Sequence, residues 1–181
     1  MTAAVTITRR ITALTAIAVG ALSLFPISTA QAAEPTPSCW YNVDNDTMGC
    51  FDASLDPHEQ IERATGTQLV AVPTGAQSRS AATAAASAAT YLLATGWDAT
   101  GRTGASVSYF TTNPAICTGL IHSFPNLGTW SNRFESFEAY NGCEGYLFDG
   151  VNYGGTEFGP LTVSNNLGTF SNRAESMSIE G

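Results

Sequence analysis

The chain is 181 residues long, with 7 Lys+Arg against 15 Asp+Glu, a formal net charge of -8 and only 12% charged residues. That length holds one modest domain, with or without an extension. All seven cations are arginine, which excludes lysine Schiff-base chemistry, and the acidic balance argues against nucleic acid or an anionic lipid surface as partner, since both need a basic patch.

Residues 1–32 read as a secretory signal peptide. Arg9 and Arg10 supply the positive start, Ile11 to Ile27 the apolar stretch, and Ala30-Gln31-Ala32 a small-x-small cleavage pattern, which places the mature start at Ala33. A retained membrane anchor is the weaker reading, because Pro26 interrupts the run and its length falls short of the ~20 residues a span needs. A secreted, extracellular protein is expected, with no membrane partner after cleavage. Export places Cys39, Cys50, Cys117 and Cys143 in an oxidising compartment, where an even count predicts disulfides. Of the three connectivities, spacing favours Cys39 with Cys50 and Cys117 with Cys143. Zinc is set aside: there is no CxxC pair, and His58 and His122 are the only histidines.

Residues 33–66 are expected to form a disulfide-clipped hairpin around Asp44-Asn45-Asp46 and a short helix. Asp56 can cap that helix, Pro57 suits its first position, and Gly66 can end it in a left-handed conformation. His58-Glu59 does not continue into a zinc-protease motif, because the residue four after His58 is Glu62. Residues 67–104 are rich in Ala, Thr, Ser and Gly. They are expected to be a linker containing a helix in its alanine-rich stretch, with Tyr91-Leu92-Leu93 docking one end.

Residues 105–181 repeat themselves. Asn126-Leu127-Gly128-Thr129-Trp130-Ser131-Asn132-Arg133-Phe134-Glu135-Ser136 recurs forty residues on as Asn166-Leu167-Gly168-Thr169-Phe170-Ser171-Asn172-Arg173-Ala174-Glu175-Ser176, identical at nine of eleven positions. Gly119 and Gly159 keep the same offset. Val107, Tyr109 and Phe110 are expected to open one unit and Tyr146-Leu147-Phe148 the other, with Phe137 and Met177 in short closing strands. Four short strands per unit is the size of a Greek key, and two such units can close a two-sheet sandwich.

Phe148-Asp149-Gly150-Val151-Asn152-Tyr153-Gly154-Gly155 fits the aromatic-x4-aromatic-x-Gly hairpin of the βγ-crystallin superfamily. Trp130 and Phe170 each lead into a tract similar to the family's two Asn/Asp, two variable residues and Ser/Thr-Ser. The chain resembles secreted bacterial members of that superfamily that carry a short cysteine-clipped N-terminal region. The resemblance implies a mainly β protein: two Greek-key units forming a βγ-crystallin-like sandwich over 105–181, preceded by a small α-containing region. Tyr109-Phe110-Thr111-Thr112-Asn113-Pro114, taken as the first unit's hairpin, lacks the aromatic-x-Gly ending.

The resemblance also implies calcium as ligand, bound where the two tracts face each other. The site residues are then Ser131, Asn132, Arg133 and Glu135 with Ser171, Asn172, Arg173 and Glu175: asparagines offering side-chain oxygens, arginines main-chain carbonyls, and the fifth position reaching the partner site. Here that fifth residue is glutamate where the family has Ser/Thr, and Ser131 and Ser171 stand for the first Asn/Asp. A carboxylate is the stronger calcium ligand but the longer side chain. The competing reading is that Arg133 with Glu135, and Arg173 with Glu175, share a strand face as surface ion pairs worth only about 0 to 1 kcal/mol.

No catalytic motif emerges, so no enzyme is expected. His122 beside Ser123 lacks a third, orienting group, and Asp44 with Asp46 sits in a tight hairpin without a cleft for sugar. Two function classes remain: a non-catalytic, calcium-stabilised secreted module, or a secreted effector that binds an extracellular protein such as a protease. Some bacterial domains of this architecture inhibit metalloproteinases and others resemble killer toxins. For the effector, the disulfide-braced loop Thr111 to Gly119 is the candidate inhibitory segment.

Overall fold

The computed structural model describes residues 36–75 and 89–181. The expected signal peptide at 1–32 and residues 76–88 of the alanine-rich stretch lie outside the described residues.

The first hairpin pairs β1 (Ser38–Asn42) with β2 (Thr47–Phe51), and Cys39 faces Cys50 in register and is bonded to it. Helix α1 (Pro57–Thr65) begins where Asp56 accepts hydrogen bonds from the amides of His58 and Glu59 at 2.8 and 3.2 Å, and ends at Gly66 with φ 69°. β3 (Gln68–Val70) follows, running parallel to the start of β4 (Ala89–Ala99). β4 turns tightly into β5 (Thr103–Thr111), and β1 pairs parallel along the far side of β5.

The remaining strands are β6 (Ile121–Phe124), β7 (Ser136–Ala139), β8 (Glu144–Gly150), β9 (Gly154–Leu161), β10 (Val163–Ser164) and β11 (Ser176–Glu180). They complete two sheets, ordered β10-β7-β4-β5-β1-β2, with β3 beside β4, and β6-β11-β8-β9. The first unit is β4 to β7 and the second β8 to β11. Each gives its third strand to the sheet of the other: β6 pairs with β11, and β10 with β7. Both the seven-stranded and the four-stranded sheet draw strands from the two units, which joins them in one body.

The linker expected over 67–104 is overturned for its described part. Residues 68–70 and 89–99 are strands, and the sandwich begins at residue 89 rather than 105. The reason is tertiary. β4 is flanked by β5 on one side and β7 on the other, and Thr90, Tyr91, Thr95 and Trp97 suit a doubly paired strand better than alanine-based helix propensity suggests.

Burial is nearly continuous along β4 and β5, whose side chains divide between two cores. Leu93, Val107 and Tyr109 join the core between the sheets with Phe134, Phe137, Leu147, Phe170, Met177 and Ile179. Leu92 and Phe110 point the other way, into a second core with Ile61 of α1 and Tyr140, against which Trp40 and Leu69 pack. Because both faces are covered, the strands read as continuous apolar and small residues rather than as alternation. Their buried hydroxyls satisfy one another: Thr67 with Thr90 at 2.6 Å and Thr95 with Ser108 at 3.0 Å.

Candidate functional site: the facing tracts

Each tract opens with a 3-10 turn, Gly128–Trp130 and Gly168–Phe170, started by an asparagine whose side-chain oxygen accepts the glycine amide at 2.7 Å. The chain then passes through Asn132 and Asn172, both at φ 58°, a left-handed conformation that asparagine tolerates better than most residues. There the tracts cross. The amide of Asn132 donates to the carbonyl of Ala174 at 2.7 Å, and that of Asn172 to the carbonyl of Phe134 at 2.8 Å.

The side chains cross as well. Asn172 Nδ2 donates to Glu135 Oε1 at 2.9 Å, and Asn132 Nδ2 to Glu175 Oε1 at 3.3 Å. The fifth-position glutamate of each tract therefore reaches the second-position asparagine of the other. Ser131 and Ser171 are half-buried at the shoulders of the crossing, and Ser131 Oγ donates to Asn126 Oδ1 at 3.4 Å.

The arginines do not pair with Glu135 and Glu175, so the same-face ion pairs expected from sequence are corrected. Arg133 Nη2 meets Asp98 at 2.9 Å and its guanidinium lies 3.8 Å from the Trp130 ring centroid. Arg173 meets Asp149 and sits 5.3 Å from the Phe170 centroid. These arginines turn away from the crossing and lock each tract to a hairpin. The tracts are not strands at these positions, which removes the premise of a shared strand face.

Asp98 and Asp149 are the residues sequence reasoning missed. The strand registers show why they correspond: Gly96 faces Val107 and Trp97 faces Ser106, while Leu147 faces Phe158 and Phe148 faces Glu157. The two hairpins are thus fifty-one residues apart, against forty for the tracts, and the first hairpin is Trp97 to Gly104. This corrects its assignment to Tyr109–Pro114. In it Arg102 stands where the second has Tyr153, at φ 60° and 59° respectively. The signal that could have found it was aromatic-Asp followed by glycine six residues after the Asp, present in both copies. The extra length of the first unit is the loop before β6, so Gly119 and Gly159 are not equivalent: one is in that loop, the other in β9.

The final tract serines clasp the same hairpins. Ser136 Oγ donates to the carbonyl of Ala99 and accepts the amide of Arg102, as Ser176 does with Gly150 and Tyr153. Asp149 accepts the amide of Thr156, and this bond together with the Arg173 guanidinium holds its carboxyl below the usual carboxylate range.

Asp44, Asp46 and His122 are engaged structurally. Asp44 is exposed; partial desolvation opposes its ionisation, yet the hydroxyls of Thr111 and Thr112 and the amide of Thr112 outweigh that and lower its pKa. Asp46 accepts the Tyr41 hydroxyl at 2.9 Å. His122 Nε2 lies 2.7 Å from the carbonyl of Ile116, and His58 is exposed on α1. The loop Thr111 to Gly119 is therefore pinned by Asp44, by His122 and by the Cys117–Cys143 disulfide, with Thr112 to Ala115 exposed between the braces.

A hard cation at the crossing would find an oxygen-donor set of the right kind. Each crossing has one carboxylate and one amide, and rotating the amide by half a turn presents Oδ1 in place of Nδ2. The charge count is low: among the described residues, no three His, Cys, Asp or Glu side chains converge. Main-chain carbonyls and water would supply the rest of a calcium shell.

No family model matches the chain, and no curated protein does. Among solved structures, it is similar to a βγ-crystallin domain from Clostridium beijerinckii, at 18% identity over 49% of this chain and 97% of that one, with a TM-score of 0.38. It is also similar to a βγ-crystallin domain from Flavobacterium johnsoniae, at 17% identity over 48% and 92% with a TM-score of 0.37. A βγ-crystallin from an archaeon aligns at 16% identity over 48% and 94%, with a TM-score of 0.34. Residues 89–181 themselves form two Greek keys with a reciprocal exchange of third strands and paired hairpins.

Proposed function

We infer that the chain is an exported, non-catalytic βγ-crystallin-like module that binds calcium at the two tract crossings and is stabilised by it. The observation that carries this reading is the reciprocal reach of Glu135 to Asn172 and Glu175 to Asn132. It sets a carboxylate against an amide, from opposite units, at two pseudo-symmetric places. An ion bridging both units would resist their separation, and so would act directly on the exchange of strands that makes the fold. Export is supported by the leader-like N-terminus and by two disulfides, which persist in oxidising compartments.

The test is a thermal melt with calcium and with chelator, on the wild type and on the N132A/N172A double variant. Calcium at a hundredfold excess over its dissociation constant should add about 2.7 kcal/mol, a rise of several degrees for a domain of this size. The double variant should lose that rise. Identical melting temperatures of the wild type in millimolar calcium and in chelator would sink the reading and leave the Glu–Asn bonds as cross-links standing in for an ion.

A further inference from the structure

The two sheets present their outer faces differently. On the seven-stranded sheet that face is covered, with Ile61 of α1 packed against Leu92, Phe110 and Tyr140. Glu138 beside them pairs with Arg102 at 2.6 Å and accepts the Tyr140 hydroxyl at 2.9 Å. The four-stranded sheet has no such cover among the described residues. Leu147 and Ile179 point into the core, so Glu144, Tyr146 and Phe148 on β8 and Glu180 on β11 point outward. Glu157 of β9, next to the core-packed Phe158, joins them and is exposed.

Strand register sets these acids against one another. Glu144 faces Glu180 directly across β8 and β11, and Glu157 faces Phe148 across β8 and β9. Like charges directly opposite destabilise a sheet, so the Glu144–Glu180 pair has no rationale in folding. Among the described residues, no hydrogen bond or ion pair engages the three glutamates, and the arginines are held elsewhere: Arg63 by Glu59, Arg102 by Glu138, Arg133 by Asp98 and Arg173 by Asp149. Tyr146 stands among the acids. Its ring rests against Gly159, where a Cβ would come within 2.8 Å of it, and it is otherwise half-exposed. Desolvation and then the fields of Glu144, Glu180 and Glu157 raise its hydroxyl pKa, which agrees with three carboxylates around one ring.

The sister unit indicates what is missing. By hairpin register Tyr153 stands where the first unit has Arg102, and by tract alignment Glu180 stands where it has Tyr140. The first unit thus carries its own guanidinium beside its carboxylate. The second has more carboxylates and a further ring, with Tyr153 meeting Phe148 edge to face at 5.6 Å, but no guanidinium. We propose that the outer face of the four-stranded sheet docks a protein partner through an arginine-rich segment, one guanidinium stacking on Tyr146 and its neighbours pairing with Glu144, Glu180 and Glu157. Arginine is specified over lysine because a planar guanidinium both stacks on a ring and meets a carboxylate with two donors. A second copy of this chain does not fit, since two such faces would oppose glutamate to glutamate. The face shares no residue with the tract crossings.

The experiment uses the purified protein in chelator, titrated calorimetrically with an acetylated octapeptide of alternating arginine and serine, and with its lysine and citrulline counterparts. The wild type should bind the arginine peptide more tightly than the lysine peptide, and the neutral citrulline peptide not at all. E144Q/E180Q should weaken the arginine peptide about tenfold, at roughly threefold for each exposed charge pair. It should melt no lower than the wild type, because it relieves a like-charge pair, so the lost affinity is not lost folding. D46N/E59Q removes the same two charges from an exposed turn and an exposed helix face, and should bind as the wild type does. Y146A should weaken binding about threefold, the scale of an exposed cation–π contact, and Y146F should restore it. Absence of arginine-peptide binding by the wild type at millimolar concentration would overturn the proposal. An equal loss in D46N/E59Q and E144Q/E180Q would also overturn it, by showing general attraction to an acidic chain. A lysine peptide bound as tightly as the arginine peptide would overturn the guanidinium assignment.

Discussion

Asp149 shows how one side chain can link three pieces of a fold. It accepts the amide of Thr156 across its own hairpin and pairs with Arg173 of the tract, whose guanidinium lies near the Phe170 ring. Its carboxyl is held below the usual range by the Thr156 amide and by that arginine, so the ionised form is preferred in the folded state. The contribution is complete above the unfolded carboxylate pKa of about 3.9 and disappears as the pH falls through the lower folded value. Asp149→Asn removes it at every pH. The variant should therefore melt below the wild type at pH 6 and show a shallower loss of melting temperature between pH 5 and pH 2. Parallel pH curves for the two proteins would count against this account.

The unit of construction at the next scale is the hairpin with its glycine. Gly104 and Gly155 have φ of 80° and 77°, and a Cβ at either would run into the aspartate that holds the tract arginine, Asp98 or Asp149. Gly168, also left-handed at φ 60°, faces open space. Alanine at Gly168 should cost about 1 kcal/mol for the backbone alone. At Gly155 the same change adds displacement of Asp149 and should cost roughly 2 to 3 kcal/mol. Denaturant unfolding of the two variants measures the difference, and equal losses would show that the hairpin does not depend on aspartate placement. The same scale explains why the first hairpin escaped sequence reading. Arg102 occupies the position of the second aromatic, and it is spent on Glu138 at 2.6 Å rather than on ring packing. The positive φ and the glycine persist although the aromatic signature does not.

At the scale of the whole molecule, the N-terminal region is part of the sandwich rather than an appendage. β1 lies along β5, and α1 with Trp40 and Leu69 covers the outer face at Leu92, Phe110 and Tyr140. Removing residues 33–66 would uncover that face, and restoring Leu92, Phe110 and Tyr140 to water costs on the order of 5 kcal/mol. That is comparable with the total stability of a small domain. The truncated chain, residues 67–181, should bind a hydrophobic dye and melt well below residues 33–181. A truncated protein with unchanged melting temperature would show instead that the β sandwich is autonomous.

What the sequence determined by itself was the periodic and local part. The repeated tract fixed two units, because nine identical positions encode the same turn, left-handed asparagine and closing strand twice. Asp56, Pro57 and Gly66 marked α1, since capping chemistry acts within a few residues. Cysteine spacing favoured the two bridges that form. The candidate tract residues were legible too, and the crossing of Glu135 on Asn172 and Glu175 on Asn132 is where tertiary structure brings them. Tertiary structure alone decided the rest. Residues 89–99 are a strand because two neighbouring strands bond them on both sides, an interaction that outweighs the local propensity of alanine and threonine. Asp98 and Asp149 became arginine partners only once hairpin and tract met across twenty-four residues or more of chain.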